Sequence, residues 1–443
     1  MKAGKIRSVA FLSVAAVLAL GFAWPAKSSA TVPGNNEAVT VNTSGGSPNS
    51  NASGLSSSLD GRYVVFQSNA TDLVSSPTVT GSNSQIYIRD RYTNTTQLVS
   101  VNSAGTNAGN SWSQAPTISS DGRYVAFNSP ATNLTATNPG GTIEVYVRDL
   151  VNQTTTLASA SSTGAAANST AYDGSISGDG NFVVFRSSAS NLMSGVVPSS
   201  EQVFMKDLTD SSVKLISKNA SGAMANANTT GPRVSCEGRF IVFLTNATNL
   251  PGQTSAIWNI YLADMLHGGA ITDITPNVPS GTSFGAMTIS CNGAYIGFNS
   301  DASNLVSSDT NSQVDAFVYD RIANSFDLVS KSSGGTLGNG TSGEVSVSND
   351  GRFAAYSSGA TNLVSSDTNN DYDIFLHDRL SGTTELVSKN ASGTQANGFS
   401  FQPNISSNAK YIVYASTATN LISGYSNSNG LGYAAETGIS DGY

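Results

Sequence analysis

Charged side chains make up only 11% of this 443-residue sequence, against roughly a quarter in an ordinary soluble protein. The two histidines, His267 and His377, are too few for a His-rich metal centre and do not readily assemble a Ser-His-Asp set. No CxxC, phosphate-binding loop or dinucleotide fingerprint is present. Helical periodicity is absent throughout. Proline is sparse, at 13 residues, and the apolar residues are clearly patterned, which together argue against wholesale disorder. What fills the sequence instead is Ser, Thr and Asn with 43 glycines, the composition of many short strands joined by turns.

The N-terminus reads as an address. Residues 1–7 are basic, residues 8–22 are almost wholly apolar, and Ser28-Ser29-Ala30 supplies small residues at the cleavage positions. Residues 1–30 are therefore expected to be a secretory signal peptide. The apolar run is shorter than the roughly 20 residues of a membrane span, and no later stretch could cross a bilayer. The remaining residues, 31–443, carry 17 bases against 29 acids, net −12. Such a surface repels phosphate backbones and anionic lipid, so nucleic-acid binding and membrane insertion are not expected. The sequence predicts an exported protein, periplasmic or secreted, acting as a monomer.

One pattern recurs seven times. Asp60-Gly61-Arg62-Tyr63-Val64-Val65-Phe66 is matched at Asp121-Gly122-Arg123-Tyr124, Asp179-Gly180-Asn181-Phe182, Glu237-Gly238-Arg239-Phe240, Asn292-Gly293-Ala294-Tyr295, Asp350-Gly351-Arg352-Phe353 and Asn408-Ala409-Lys410-Tyr411. The steps between the glycine positions are 61, 58, 58, 55, 58 and 58. Each unit reads as four strands: one before the Asp-Gly turn, one after it, a third such as Val145-Tyr146-Val147-Arg148-Asp149, and a fourth such as Thr155–Ser159. Four strands at a fixed period predict propeller blades. The fold class is thus all-β, a seven-bladed β-propeller forming one domain over residues 31–443. The last unit lacks a fourth strand, whereas Val39–Gly45 matches a fourth strand (Leu98–Gly105) with no blade before it. Residues near 38–44 are expected to complete the seventh blade and remove the bare edges.

The Asp-Gly-Arg-Tyr-Val-Ala-Phe turn and the Tyr-Val-Arg-Asp third strand resemble the WD40-like repeats of the TolB type, over essentially the whole of residues 31–443. The terminal Trp-Asp of true WD40 blades is missing. TolB propellers have six blades preceded by an α/β domain, so the resemblance does not carry over their role in an outer-membrane complex. It implies an exported bacterial propeller of a kind commonly used to bind proteins. The propeller gates of prolyl peptidases are similar, but no hydrolase domain or nucleophile elbow is read here.

Residues present in every blade are expected to be structural. These include the Asp closing each third strand (Asp90, Asp149, Asp207, Asp264, Asp320, Asp378) and the loop Asn of each blade (Asn133, Asn191, Asn249, Asn304, Asn362, Asn420, with Asp72 in the first). Departures from the repeat are the candidates. Asp309, Asn311 and Asp315 in one loop, and Asp367, Asn369, Asp371 and Asp373 in the next, place oxygen donors at alternate positions, as a Ca²⁺ loop requires. An Asx-rich turn with solvated acids accounts for the same residues. Cys236 and Cys291 each lie two residues before a turn glycine in consecutive blades, and export favours a structural disulfide between them over two free thiols. Trp112, Tyr172, Trp258, Phe284 and Phe399 have no counterparts between repeats and belong to the face that carries the long loops. There they would stack on sugars or serve as protein hot spots, or else pin their own loops.

These features predict a binding or scaffold module for an envelope or extracellular protein, using the long-loop face, with Ca²⁺ rigidifying two loops. A carbohydrate-binding propeller is the second reading. A polysaccharide hydrolase or lyase using carboxylates on the same face is the third, although no local motif marks catalysis.

Overall fold

The computed structural model describes residues 35–425, apart from 138 and 254, and residues 430–439. The expected signal peptide, residues 1–30, lies outside the described residues. Seven four-stranded antiparallel sheets form a seven-bladed propeller. Blade 1 comprises Ala52–Ser57, Tyr63–Ser68, Gln85–Asp90 and Thr95–Leu98. Blades 2 to 6 repeat that meander, opening with Gln114–Ile118, Ala171–Ile176, Thr229–Val234, Thr288–Ile289 and Ser342–Val347. Blade 7 takes Ser400–Ile405, Tyr411–Ser416 and Leu431–Glu436 from the end of the chain, and its fourth strand, Asn36–Ala38, from the beginning. The closing strand lies slightly earlier than the sequence suggests. Asn36–Ala38 makes the ladder, while Val39 and Thr40 continue it with single bonds to Gly432.

Each second strand alternates aromatic and β-branched residues because both of its faces are covered by neighbouring blades. An aromatic pair joins the second and third strands of every blade, from Phe66–Tyr87 to Tyr414–Tyr433, with ring centroids 5.7–6.1 Å apart. The apolar clusters bridge adjacent blades. One unites Val39, Val413 and Ala434 of blade 7 with Val64, Phe66 and Tyr87 of blade 1. The ring thus has a continuous core that no single blade could bury alone.

The Asp-Gly turn is a five-residue connection, Ser58–Arg62, rather than a two-residue hairpin turn. Asp60 Oδ1 accepts bonds from Ser58 Oγ and the Arg62 amide, and Gly61 N closes the turn on Ser58 O. Arg62 then reaches the Asp that ends the third strand, donating to both oxygens of Asp90 at 3.0 and 2.7 Å. The pairs Arg123–Asp149, Arg239–Asp264 and Arg352–Asp378 repeat this fork. Where no Arg is available, Asp207 and Asp320 only cap the hairpin that follows. The loop asparagines serve the scaffold too, each accepting a backbone amide 23 residues earlier in blades 2, 3, 4, 6 and 7. Among the described residues, no helix is long and apolar enough to cross a membrane.

Candidate functional site

The first strands of all seven blades face a central cavity of about 430 Å³. Six of these strands are broken in register, at Ser53/Ser56, Gln114/Thr117, Tyr172/Ser175, Thr230/Arg233, Gly343/Val345 and Phe401/Asn404. The breaks are β-bulges, which twist the innermost strands and aim side chains into the channel. Five carry a residue with positive φ: Gly54, Ala115, Asp173, Gly231 and Gln402. Several bulge amides are held from the preceding blade. Gly54 N donates to Gln402 Oε1 at 2.8 Å, Ala115 N to Gln67 Oε1 at 2.9 Å, and Gly231 N to Asp173 Oδ2 at 3.3 Å.

The cavity has a mixed lining, in which apolar residues such as Leu55, Ile118, Ile176, Met287 and Val345 alternate with Ser, Thr, Asn and Gln, and three charged residues stand in its walls: Asp173, Arg233 and Glu344. Asp173 is engaged by Arg186 at 2.6 Å, and Arg186 also binds Glu201. Glu344 accepts a bond from Ser357 Oγ at 2.7 Å. Arg233 differs. Its guanidinium donates to Pro232 O at 2.8 Å, and no carboxylate among the described residues pairs with it. Burial lowers its pKa from the ordinary arginine value, with Asp173 acting in the opposite sense. The Arg233 side chain is half-buried in the channel wall, and a guanidinium with no acid at ion-pair distance can receive an anion.

The cavity runs from the bulges to the short-turn face, where Leu59, Ser120, Gly178, Ser407 and a Cys236–Cys291 disulfide rim it. That disulfide ties blades 4 and 5, next to a backbone bond from Cys236 N to Cys291 O. The same face carries most of the exposed large apolar side chains. Tyr92, Val151, Leu266, Ile322 and Leu380 all stand two residues after the Asp that ends a third strand, at the tips of the outer hairpins. Sequence reasoning passed over them, although their fixed offset from that Asp was a readable signal. It also passed over Arg233 and Glu344, which sit at bulges.

The five aromatics assigned to the long-loop face are placed differently from one another. Trp258 and Phe284 pack against the cluster of blades 4 and 5, and Phe284 tilts onto Phe298 at 5.9 Å. Tyr172 lies under the Arg186 guanidinium at 5.0 Å. Trp112 is half-buried, its carbonyl taken by Ser129 Oγ. Phe399 is the exposed member, at 51%.

The two acidic loops are built on one plan with one difference. Asp309 and Asp315 in blade 5, and Asp367 and Asp373 in blade 6, are buried. Asn311 Nδ2 donates to Gly338 O and Asn369 Nδ2 to Ala396 O, both at 3.0 Å, and the Asn369 side-chain oxygen accepts the Asp371 amide. In blade 6, Gln395 Nε2 sits between the carboxylates, 2.7 Å from Asp367 Oδ1 and from Asp373 Oδ2. In blade 5 the matching residue is Leu337, and Asp315 Oδ2 is buried with no hydrogen-bond partner among the described residues. Burial raises the pKa of both Asp315 and Asp373 to about 6.

Both histidines are scaffold. His267 Nδ1 is paired with Asp264 at 2.7 Å. His377 is buried beside Thr384, and burial lowers its pKa to about 4. A Gly-x-Ser-x-Gly string, which the sequence reading overlooked, does occur at Gly281–Gly285. It lies in the loop before the first strand of blade 5, where Ser283 N donates to Asp301 Oδ1, and no strand-turn-helix elbow is formed.

No protein-family model matches the chain, and no curated protein matches it in sequence. Solved structures do match in fold. Oligogalacturonate lyase from Vibrio parahaemolyticus is 12% identical with a TM-score of 0.54, covering 93% of this chain and 98% of that one. The β-propeller domain of the Trilobed protease from Pyrococcus furiosus is 13% identical with a TM-score of 0.50, covering 84% and 92%. TolB from Acinetobacter baumannii is 13% identical with a TM-score of 0.40, covering 85% and 80%. At these identities the likeness is one of fold.

Proposed function

We propose that this protein is an exported binding or scaffold module of the cell envelope or extracellular space. It engages a partner protein that presents an acidic group to the central channel. The observation that carries this reading is Arg233, a guanidinium in the channel wall that no acid among the described residues pairs with. The geometry favours the short-turn face as the docking surface, because the cavity reaches residues of that face and the apolar hairpin tips lie on it. The long-loop face, with Phe399 exposed, is the competing surface. A second reading is an acidic polysaccharide ligand, favoured by the hydroxyl and amide groups set among the apolar residues of the channel. Carboxylate-based cleavage of such a chain would have to use Asp173 or Glu344, and Asp173 is already held by Arg186.

The test is a pull-down from the producer's envelope and culture-fluid extracts with wild type, Arg233→Gln, a Val151→Asp/Leu380→Asp double variant and Phe399→Ala. A discrete protein lost with Arg233→Gln and with the hairpin-tip variant supports the first reading. Loss with Phe399→Ala alone moves the docking surface to the long-loop face. Capture of no protein, together with glycan binding lost in Arg233→Gln, supports the second. Turnover of a bound glycan makes the protein an enzyme.

A further inference from the structure

In blade 6, the two buried carboxylates are reconciled by an amide. Gln395 donates one hydrogen to each, and Ser388 Oγ donates to the remaining near oxygen of Asp373 at 2.5 Å. Blade 5 keeps the same acids, the same serine (Ser330 Oγ to Asp315 Oδ1, 2.6 Å) and the same loop asparagine. It lacks the amide, because Leu337 stands where Gln395 stands and has no hydrogen to donate. Backbone bonds confirm the equivalence: the side chains of Asn362 and Asn420 donate to Leu337 O and Gln395 O respectively, both at 2.8 Å.

The consequence is a buried oxygen, Asp315 Oδ2, with no hydrogen-bond partner among the described residues, in the electrostatic reach of a second buried carboxylate, Asp309. An unpartnered buried carboxylate oxygen is costly, and facing a like charge raises that cost. The blade 6 arrangement identifies what belongs in the gap, namely positive charge or polar hydrogen directed at both acids. We propose that the blade 5 loop binds a divalent cation between Asp309 and Asp315, and that blade 6 does not, because Gln395 occupies the equivalent position. The donors are all hard oxygens, which select Ca²⁺ over thiolate- or imidazole-seeking metals. Asn311, midway along the loop, offers a third oxygen, now bonded to the Gln313 amide. This site is independent of the channel and of the partner proposed for it.

The experiment is calorimetric titration of CaCl₂ into chelator-treated full-length protein, with melting temperature followed in parallel. Wild type is expected to bind one Ca²⁺ and to melt about 2–4 °C higher when saturated. Asp315→Asn and Leu337→Gln should both abolish binding, the latter by installing the blade 6 amide in a chain whose circular dichroism is unchanged. Asp367→Asn should still bind one ion, and Gln395→Leu should bind two. Absence of binding in wild type overturns the proposal. So does binding that survives Leu337→Gln or that is lost in Asp367→Asn.

Discussion

Arg91 donates from Nε and Nη2 to the same oxygen of Glu37, at 2.9 and 2.7 Å, and so fastens blade 1 to the N-terminal strand. Between blades 6 and 5, Arg379 reaches the fourth strand of the preceding blade in the same way, donating from Nε to Asp327 at 3.0 Å. Each of these arginines also donates to the turn glycine's carbonyl, Gly61 O or Gly351 O, at 2.6 Å. Residues from the start of the chain therefore reproduce an ordinary fourth strand down to its ion pair. The ion pair itself is worth little, because Glu37 is 38% exposed. Glu37→Gln is expected to cost about 0.5–1 kcal/mol. Removing residues 31–45 is different in kind. It bares the edge of Leu431–Glu436 and takes Val39, fully buried, out of the cluster between blades 7 and 1. That truncation should aggregate or melt far below wild type in a thermal scan, whereas Glu37→Gln should melt within a few degrees of it.

Glu144 begins the third strand of blade 2, where blades 1 and 3 have Gln85 and Gln202. Each glutamine accepts from a serine (Ser100 or Ser217) at 2.7 Å and donates its amide to loop carbonyls, Ser111 O or Ala225 O, at 3.0 Å. Glu144 accepts from Ser159 but, when ionised, has nothing to donate. It is fully buried, and burial raises its pKa from 4.5 to about 7. The folded state thus binds this proton more tightly than the unfolded chain does. Stability is retained below pH 4.5 and declines as pH rises towards 7, by on the order of 2–3 kcal/mol. Glu144→Gln should raise the melting temperature at pH 7.5 and flatten its dependence between pH 5 and 7. An unchanged pH profile would show that Glu144 is already ionised at pH 5.

How much of this was legible in the sequence depends on whether a residue repeats. Gly61, Asp90, Asn133 and their equivalents recur in most or all blades, so blade number, strand count and ring closure could be read directly. The channel could not, because its walls are bulges, and a bulge shows in sequence only as a lapse in alternation. Thr229-Thr230-Gly231-Pro232-Arg233 reads as a weak strand, yet its break is what directs Arg233 inward. The unmatched aromatics left two readings open for a related reason. A residue unique to one blade can fill a hole unique to that blade, as Trp258 and Phe284 do. The difference between the acidic loops was visible in principle, but it hinges on Gln395 and Leu337, each 22 residues away from the nearest aspartate of its loop, Asp373 and Asp315. Only folding brings them together.

The disulfide between Cys236 and Cys291 closes a loop with a sequence separation of 55. In the chain-entropy account, such a link restricts the unfolded state by about 2–4 kcal/mol. It also staples the rim of the channel where the first strand of blade 5, only two residues long, is the shortest of the seven. The Cys236→Ser/Cys291→Ser double variant should therefore melt lower by several degrees while remaining a folded propeller. Protease nicking under native conditions should begin in residues 270–290 rather than elsewhere in the ring. Nicking at unrelated sites would show that the disulfide serves global stability alone.

Three glycine-related positions separate backbone strain from steric exclusion. Ala115 has φ +53 at the bulge of blade 2, where blades 1 and 4 have Gly54 and Gly231 with φ +63 and +60. A left-handed L-residue costs about 1–2 kcal/mol, partly offset by glycine's greater freedom in the unfolded chain. Ala115→Gly should thus stabilise the protein by about 0.5–1 kcal/mol. At Gly54 an added Cβ meets its nearest neighbour, Gln67, at 3.4 Å, so Gly54→Ala should cost only the conformational term, about 1 kcal/mol. At Gly122 the backbone lies against the Tyr63 ring of the preceding blade, and a Cβ would fall 2.2 Å from it. Gly122→Ala then adds a clash to the strain at φ +77 and should cost more than about 3 kcal/mol. Denaturant melts of the three variants give the order directly. If Gly54→Ala and Gly122→Ala cost the same, the close approach of the turn to the neighbouring ring does not limit the fold, and blade-to-blade packing has room that the ring contact denies.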